Sequence, residues 1–471
     1  MISALNAASL STSALASDLE QIRARSFERL AGVHAAVMNG GLERAVRAAA
    51  AEAGLELPLT EAEAPRSFDE AVGQLRDAIE VAGELVLDAA PARLDPGVRR
   101  DLTASARDGA LTEADFLRHG IDRRAMAAAG LLVARSVDAA LPALSSGAAS
   151  RWPGLHAVGC DQLAQGPVCI GGTGANTYTQ DYALLIDLGG DDVHANSAGG
   201  ADRVGNALPV SVAIDLGGND RYETSLPTAS GSRVAQGAGS SGIGVLVDAG
   251  GSDTYAANST TPGINAFAQG YSGIGIGLLQ DSEGNDAYRI SYAPSRSPAS
   301  RIQGQGFSSF GVTGLLLDRA GNDTYLAEST TPVTVDDQGR VNPGRPLIQS
   351  MGYGEAGGVG ILADGGGTDS MTMRGTSGVV APEESREVVA GGAYAEGFGF
   401  ATLGGTGFAL AGSGPTTWTM ATSAEAPVVL STSVYGFGYA SSGAFAGMLD
   451  AGGDDTYVAD TRAVAVRRVQ A

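Results

Sequence analysis

The chain has 471 residues, long enough for two or three domains or for one domain and an elongated array, and carries 30 basic against 52 acidic residues for a formal net charge of -22. That acid excess disfavours binding to phosphate backbones and anionic membrane surfaces, so no nucleic-acid partner is expected. Every basic residue is arginine, which excludes a Walker-type phosphate loop, a Schiff-base nucleophile and a Ser-Lys pair, because each needs an amine side chain.

In chain order, "MISALNAASLSTSALASDLE" lacks a basic n-region and a continuous apolar stretch and does not read as a signal peptide, leaving a removed leader or a non-classical export route open. Residues 1 to about 148 are rich in Ala, Leu, Glu and Arg with apolar positions three and four apart, which predicts amphipathic helices near 12–38, 41–53, 67–89, 95–107, 112–118 and 122–145. Ser67 with Glu70, and Thr60 with Glu63, are capping-box patterns, and Thr112 precedes Glu113 and Asp115. Arg123 and Arg124 read as a solvated face. The longest apolar run, about ten residues in "AMAAAGLLVA", falls short of the roughly 18 that a membrane span needs, so no span is expected.

Glycine supplies 69 residues, only eleven of them in the first 150. That shift marks a boundary between a helical domain, 1–150, and a second domain, 151–471. Near it stand Cys160 and Cys169 in "CDQLAQGPVC", either a short disulfide staple or two neighbouring thiols. Their spacing does not resemble a zinc site.

Beyond residue 165, one eight-residue pattern recurs with Asp at position one, Gly at four, Asp at six and an aromatic at eight. Its copies are "DLGGDDVH" (187), "DLGGNDRY" (215), "DAGGSDTY" (248), "DSEGNDAY" (281), "DRAGNDTY" (318), "DGGGTDSM" (364) and "DAGGDDTY" (450), with degenerate forms "GGTGANTY" (171) and "AGSGPTTW" (411). Successive copies lie 16, 28, 33, 33, 37, 46, 47 and 39 residues apart, as loops of different length inserted into one repeating coil would give. A glycine-rich element such as "AQGAGSSGIG" or "AQGYSGIGIG" precedes most copies. Each coil therefore reads as strand, bend, strand, Asp/Gly turn and short strand. Alternating Val245 and Val247, or Leu315 and Leu317, suit strands with one face inward. One coil cannot bury that face alone, whereas stacked coils share a core. The expected fold is α + β: a helical bundle followed by a parallel β-solenoid, with a β-propeller-like array as the alternative.

"GGTGANTY" resembles the haemolysin-type, or RTX, calcium-binding repeat GGxGxDxUx, with Asn176 in the place of that family's Asp, and the other copies keep its GxDxY half. The resemblance covers eight residues per coil and implies a β-roll with Ca²⁺ between successive turns, held by Asp carboxylates and glycine-turn carbonyls. Its implied ligands are Asp192, Asp220, Asp253, Asp286, Asp323, Asp369 and Asp455. The first aspartate of each copy, Asp187, Asp215, Asp248, Asp281, Asp318, Asp364 and Asp450, is foreign to the family pattern, as is a spacing of 28 to 47 residues between most copies. These position-one residues join the candidate metal ligands.

Electrostatics gives a separate reason to expect cations. In register, equivalent carboxylates stand about 4.8 Å apart and each adjacent pair repels by roughly 3.5 kcal/mol at an effective dielectric of 20. Either bound Ca²⁺ offsets this, or each carboxylate serves as an Asx-type turn cap for amides of its own turn. The Tyr222, Tyr255, Tyr288, Tyr325 and Tyr457 column reads as an inter-coil aromatic stack, with His194 in the same slot.

Three functions follow. The first is a non-enzymatic calcium-binding scaffold, extracellular or at the cell surface, structural or adhesive, meeting a glycan or a cell-surface protein. The second is a polysaccharide lyase or hydrolase, with candidates Asp336, Asp337 and Arg340 in "TVDDQGRV" or Glu383, Glu384 and Arg386 in "PEESRE", both of which also read as solvated loop charge. The third is a glycan-binding module using loops such as "NSTTPG" and "ESTTPV". The first accounts for the most features.

Overall fold

The computed structural model describes residues 12–57, 63–107, 111–151, 157–225, 233–259, 266–292, 299–331, 334–335, 340–342, 345–377, 387–388, 391–424, 430–462 and 466–470. Among the described residues six helices come first: α1 (Thr12–Met38), α2 (Leu42–Glu52), α3 (Phe68–Ala89), α4 (Pro96–Arg107), α5 (Glu113–Arg118) and α6 (Arg123–Arg151). Their starts follow the expected caps. Ser67 Oγ accepts the Glu70 amide at 3.2 Å, while the Glu70 carboxylate takes the amide of Arg66, one residue earlier than a capping box requires. At α5 the amide and hydroxyl of Thr112 both donate to Asp115, at 2.9 and 2.7 Å. Thr60 lies outside the described residues.

From residue 157 the chain winds as a parallel β-solenoid with three long sheets. A ten-stranded sheet opens with an antiparallel hairpin, Ala157–Leu163 with Gly166–Gly171, tied by the Cys160–Cys169 disulfide. After it come the strands that end at each position-one aspartate, paired in parallel and in register, so that Val245, Leu278, Leu315 and Ile361 form one line across the sheet. A nine-stranded sheet holds the strand after each turn, and a seven-stranded sheet holds the strands before the glycine-rich bends. After the hairpin, the strands of these three sheets bond in parallel to the neighbouring coils rather than within their own repeat, which is solenoid and not propeller connectivity.

The alternation in the first sheet has a different meaning from the one expected. Val245, Val247, Leu315 and Leu317 do not face the solenoid interior: they join one buried apolar cluster with Val46, Leu75, Ile79 and Val137 of the helices. The intervening Leu246, Leu279, Leu316 and Leu362 point inward and pack with Tyr222, Tyr255, Tyr288 and Ile348. Both faces are covered, as in sheets flanked by helices, and so the strands read as continuous apolar runs such as "VLV" and "LLL". At the closest approach a methyl group on Gly130 of α6 would stand 2.2 Å from Ile276 Cδ1.

The helical layer spans the sheet from end to end. Arg76 pairs with Asp161 on the hairpin at 2.8 Å, and the Arg29 guanidinium lies 3.8 Å from the Phe445 ring centre in the last coil. Arg203 and Arg319 of the solenoid cap helix C-termini through Ala90 O (2.5 Å) and Gly40 O (2.6 Å). Arg123 runs the opposite way and is buried, not solvated. Its guanidinium donates to Gly311 O (3.1 Å), Gly357 O (2.6 Å) and Glu113 (2.9 Å), tying α6 to two coils. The Arg123–Gly147 segment is long and apolar enough to cross a membrane by length and composition, contrary to the run count above, with 56% of its window buried inside the protein.

Candidate metal centre

The turn backbone explains why the pattern repeats so strictly. Position four is glycine because the coils nearly touch: Gly251 has φ +151°, and a Cβ there would lie 1.5 Å from Gly218 O of the preceding coil. This contact brings the two aspartates of each coil against those of the next.

The two columns satisfy their oxygens differently. Position-one carboxylates other than Asp281 cap their own turns: Asp248 Oδ1 accepts the Gly250 amide at 3.0 Å, and Asp187, Asp215, Asp318 and Asp364 do likewise with the residue two ahead. The other oxygen takes a donor from the aromatic column of the preceding coil: Tyr222 hydroxyl to Asp248 (2.6 Å), Tyr255 to Asp281 (2.5 Å), Tyr288 to Asp318 (2.8 Å), Tyr325 to Asp364 (2.8 Å). His194 fills the slot for Asp215, its Nε2 3.2 Å from the carboxyl; burial lowers its pKa to about 3, so the ring is neutral.

Position-six carboxylates act between coils. Each Oδ1 accepts the amide of the position-six residue one coil earlier: Asp192 N to Asp220 (2.6 Å), Asp220 N to Asp253 (2.5 Å), Asp253 N to Asp286 (2.6 Å), Asp286 N to Asp323 (2.7 Å), Asp323 N to Asp369 (3.0 Å). Each Oδ2 of Asp192, Asp220, Asp253, Asp286, Asp323 and Asp369 is buried with no hydrogen-bond partner. An orphaned buried carboxylate oxygen is costly. It is a position from which a cation could be held.

These oxygens converge. Asp187, Asp192 and Asp215; Asp220, Asp248 and Asp253; Asp253, Asp281 and Asp286; Asp286, Asp318 and Asp323; and Asp323, Asp364 and Asp369 each place one carboxylate oxygen apiece within 4.8 Å of the others, all buried. The third group stands out. Glu283 replaces the glycine two residues beyond Asp281, and Asp281 Oδ1 is also without a partner, so all three of its members have a free oxygen. Asp450 and Asp455 join no such group among the described residues, because Ala411 and Thr416 hold the two acidic slots in the preceding coil.

Burial dominates the electrostatics. It pushes the carboxyls of Asp192, Asp220, Asp253 and Asp286 up to about 7 and Asp323 to about 6, with neighbouring aspartates adding to the rise. Asp215, Asp248, Asp281, Asp318 and Asp364 lie well above the ordinary carboxylate range for the same two reasons. Asp187 and Asp369 are raised by burial. A divalent cation would reverse this ordering by favouring the ionised form.

The donor set is all oxygen and carries high negative charge, which suits a hard cation and not zinc. It also departs from the RTX arrangement. Carbonyls of the turn accept amides from the coil before, Gly218 N to Gly250 O at 3.0 Å and Gly251 N to Glu283 O at 3.1 Å, so carboxylates are the main groups left for a cation.

Two further ladders were not read from the sequence. Gln236, Gln269 and Gln305 adopt left-handed backbone (φ 53°, 55° and 49°) and donate from Nε2 to strand carbonyls, Tyr222 O (2.8 Å), Tyr255 O (2.9 Å) and Tyr288 O (3.2 Å). Their signal was the recurrent "QG" in the bends. Position five forms an exposed ladder in which Asn219 Oδ1 accepts Ser252 N (3.0 Å) and Asn285 Oδ1 accepts Asn322 N (2.9 Å). The loop candidates Asp336, Asp337, Glu383, Glu384 and Arg386, and the side chain of Arg340, lie outside the described residues.

No family model, no curated protein and no solved structure matches this chain. The buried Asp-rich groups in parallel sheet are compatible with a calcium-binding repeat.

Proposed function

We propose that this protein is a non-enzymatic calcium-binding β-solenoid scaffold, exported or displayed at a cell surface, with a structural or adhesive role toward a glycan or a cell-surface protein. One observation carries the reading: six position-six aspartates keep a buried, unpartnered oxygen, and all six lie in groups of three carboxylates drawn from adjoining coils. Calcium takes six to eight oxygen ligands at about 2.3–2.6 Å in adaptable geometry, whereas magnesium demands a strict octahedron and retains its waters. Buried carboxylates on adjoining coils favour the former. Asp253, Asp281 and Asp286 are the first residues expected to hold an ion.

Calcium here supplies charge and cross-linking: it would join consecutive coils through side chains that otherwise repel. The Cys160–Cys169 disulfide at the start of the solenoid supports an oxidising compartment. Elemental mass spectrometry of protein purified in calcium-containing buffer tests the reading. Stoichiometric calcium supports it, and protein free of divalent metal after that treatment rejects it.

A further inference from the structure

The two ends of the solenoid are built differently. At the first coils the sheet edges are closed or short. An antiparallel hairpin stapled by Cys160–Cys169 ends the ten-stranded sheet, and the outermost described strands of the other two sheets, Thr177–Tyr178 and Arg233–Val234, have two residues each. Such devices stop a sheet from recruiting another strand. At the far end the outermost described strands are Phe445–Gly452, Thr456–Arg462 and Val466–Gln470, with eight, seven and five residues. No hairpin closes them among the described residues, so a row of backbone donors and acceptors faces outward along each.

Helix α1 runs past this end. Its C-terminal end is held by Arg319, which donates to Met38 O and Gly40 O, and it reaches the last coil at Leu30, where a methyl group on Gly447 would stand 2.8 Å from Leu30 Cδ1. The helix from Thr12 to Ser26 lies beyond that contact, about 21 Å long or the height of about four coils. Gln21, Arg23, Ala24, Arg25 and Phe27 are exposed there. In sequence, however, the packing stripe continues: Leu15 and Leu19 fall 18 residues before the buried Val33 and Val37, which is about five full helical turns. The stripe that packs on the sheet therefore carries on where the sheet has stopped. Phe27, Tyr457 and Val458 stand at the same end, 60%, 49% and 37% exposed, whereas Trp418, the register partner of Tyr457 one coil earlier, is 0% exposed.

We propose that this end is an interface with a second copy of the chain, joined tail to tail about a two-fold axis. Strand Phe445–Gly452 pairs antiparallel with its own copy, making one continuous sheet from two. The projecting half of each α1 then lies over the partner's end of that sheet, and the two helices run side by side, antiparallel, across the seam. A two-fold contact is self-complementary, so one projecting helix and one open edge per chain complete both halves. The stapled hairpin offers no matching surface for head-to-tail growth. Charge favours the same arrangement. Antiparallel pairing runs the Asp450 end of the strand toward the Phe445 end of its copy, so the acidic turns of the two chains do not stack on each other, as like charges directly opposite would oppose pairing. The contact needs no bound cation.

Sedimentation velocity of the full chain at micromolar concentration in calcium-containing buffer should give twice the mass of one chain. Phe27→Glu/Val458→Glu changes two exposed positions and should weaken self-association by about tenfold or more, with far-UV circular dichroism unchanged. Val81→Glu, at an exposed position of α3, should leave the dimer intact. A wild-type monomer overturns the proposal, as does a dimer that the double change leaves unweakened, or a species that keeps growing with concentration as head-to-tail stacking would. If the double variant does not fold, hydrogen–deuterium exchange of the wild type across a dilution series decides. Amides of 445–462 that lose protection on dilution support the pairing, and exchange there that is independent of concentration overturns it.

Discussion

The hydroxyl of Tyr255 donates to Oδ2 of Asp281 in the following coil at 2.5 Å, and Asp281 Oδ1 has no donor at all. The aromatic column and the acidic column are therefore one hydrogen-bonded unit staggered by a coil. Tyr255→Phe keeps the ring stack and removes the sole donor to Asp281. In cation-free protein this should lower unfolding free energy by about 1–3 kcal/mol, read from urea denaturation. An unchanged midpoint would mean that the hydroxyl contributes nothing to the pairing of coils.

Stability of the cation-free protein should depend on pH in the direction opposite to ordinary acid unfolding. The folded carboxyls of Asp192, Asp220, Asp253 and Asp286 titrate near 7, against about 3.9 in an unfolded chain. Between these values the folded state binds more protons than the unfolded one, so stability falls as pH rises from about 4 to 7 and increases on acidification through the same window. Melting in EDTA at pH 7.5 and at pH 5 checks this. Calcium-loaded protein should show the reverse trend, because protons then compete with the ion. A cation-free melting temperature that drops on going to pH 5 contradicts the assignment of these shifts.

Asp286 belongs to two of the carboxylate groups, and its replacement separates charge from shape. An asparagine can still accept the Asp253 amide through Oδ1, while its amide nitrogen points where the orphaned oxygen stood. The chain holds a precedent: Asn176 occupies the position-six slot in the first turn and donates from Nδ2 to Asp187 at 3.2 Å. Asp286→Asn should stabilise cation-free protein at pH 8 by about 1–2 kcal/mol and reduce the calcium-induced rise in melting temperature. Loss of stability without calcium, together with a full calcium effect, would show that Asp286 is no ligand.

Arg123 is the test of the helical layer. Truncation to alanine strands Gly311 O and Gly357 O and releases Glu113, at a cost of about 3 kcal/mol. A substitution at the neighbouring Arg124, which is exposed, should stay within about 0.5 kcal/mol. Equal effects at the two positions would deny Arg123 its role in joining helix to solenoid.

The helices were legible because their signals are local: apolar spacing, Ser67 and Thr112 at the starts. The solenoid was legible because the Asp/Gly pattern repeats at fixed internal spacing. What could not be read was which coil supplies each partner. Asp253 accepts its amide from Asp220, 33 residues away, and Arg123 reaches Gly357, 234 residues away; neither contact leaves a trace in local pattern. Nor does alternation show that both faces of a strand are covered, so Val245 and Val247 gave no warning of the helices packed on them. The aspartates answered neither expectation in pure form. Position one is largely saturated by turn amides and phenols, whereas position six borrows one amide from its neighbour and keeps one oxygen free.

That free oxygen is where the account is most exposed to test. Isothermal titration of EDTA-stripped protein with Ca²⁺, followed by melting of both forms, should show several ions bound per chain and a large upward shift, since each site at 100 times its dissociation constant adds about 2.7 kcal/mol. No heat of binding and identical melting curves with calcium and with EDTA would contradict it.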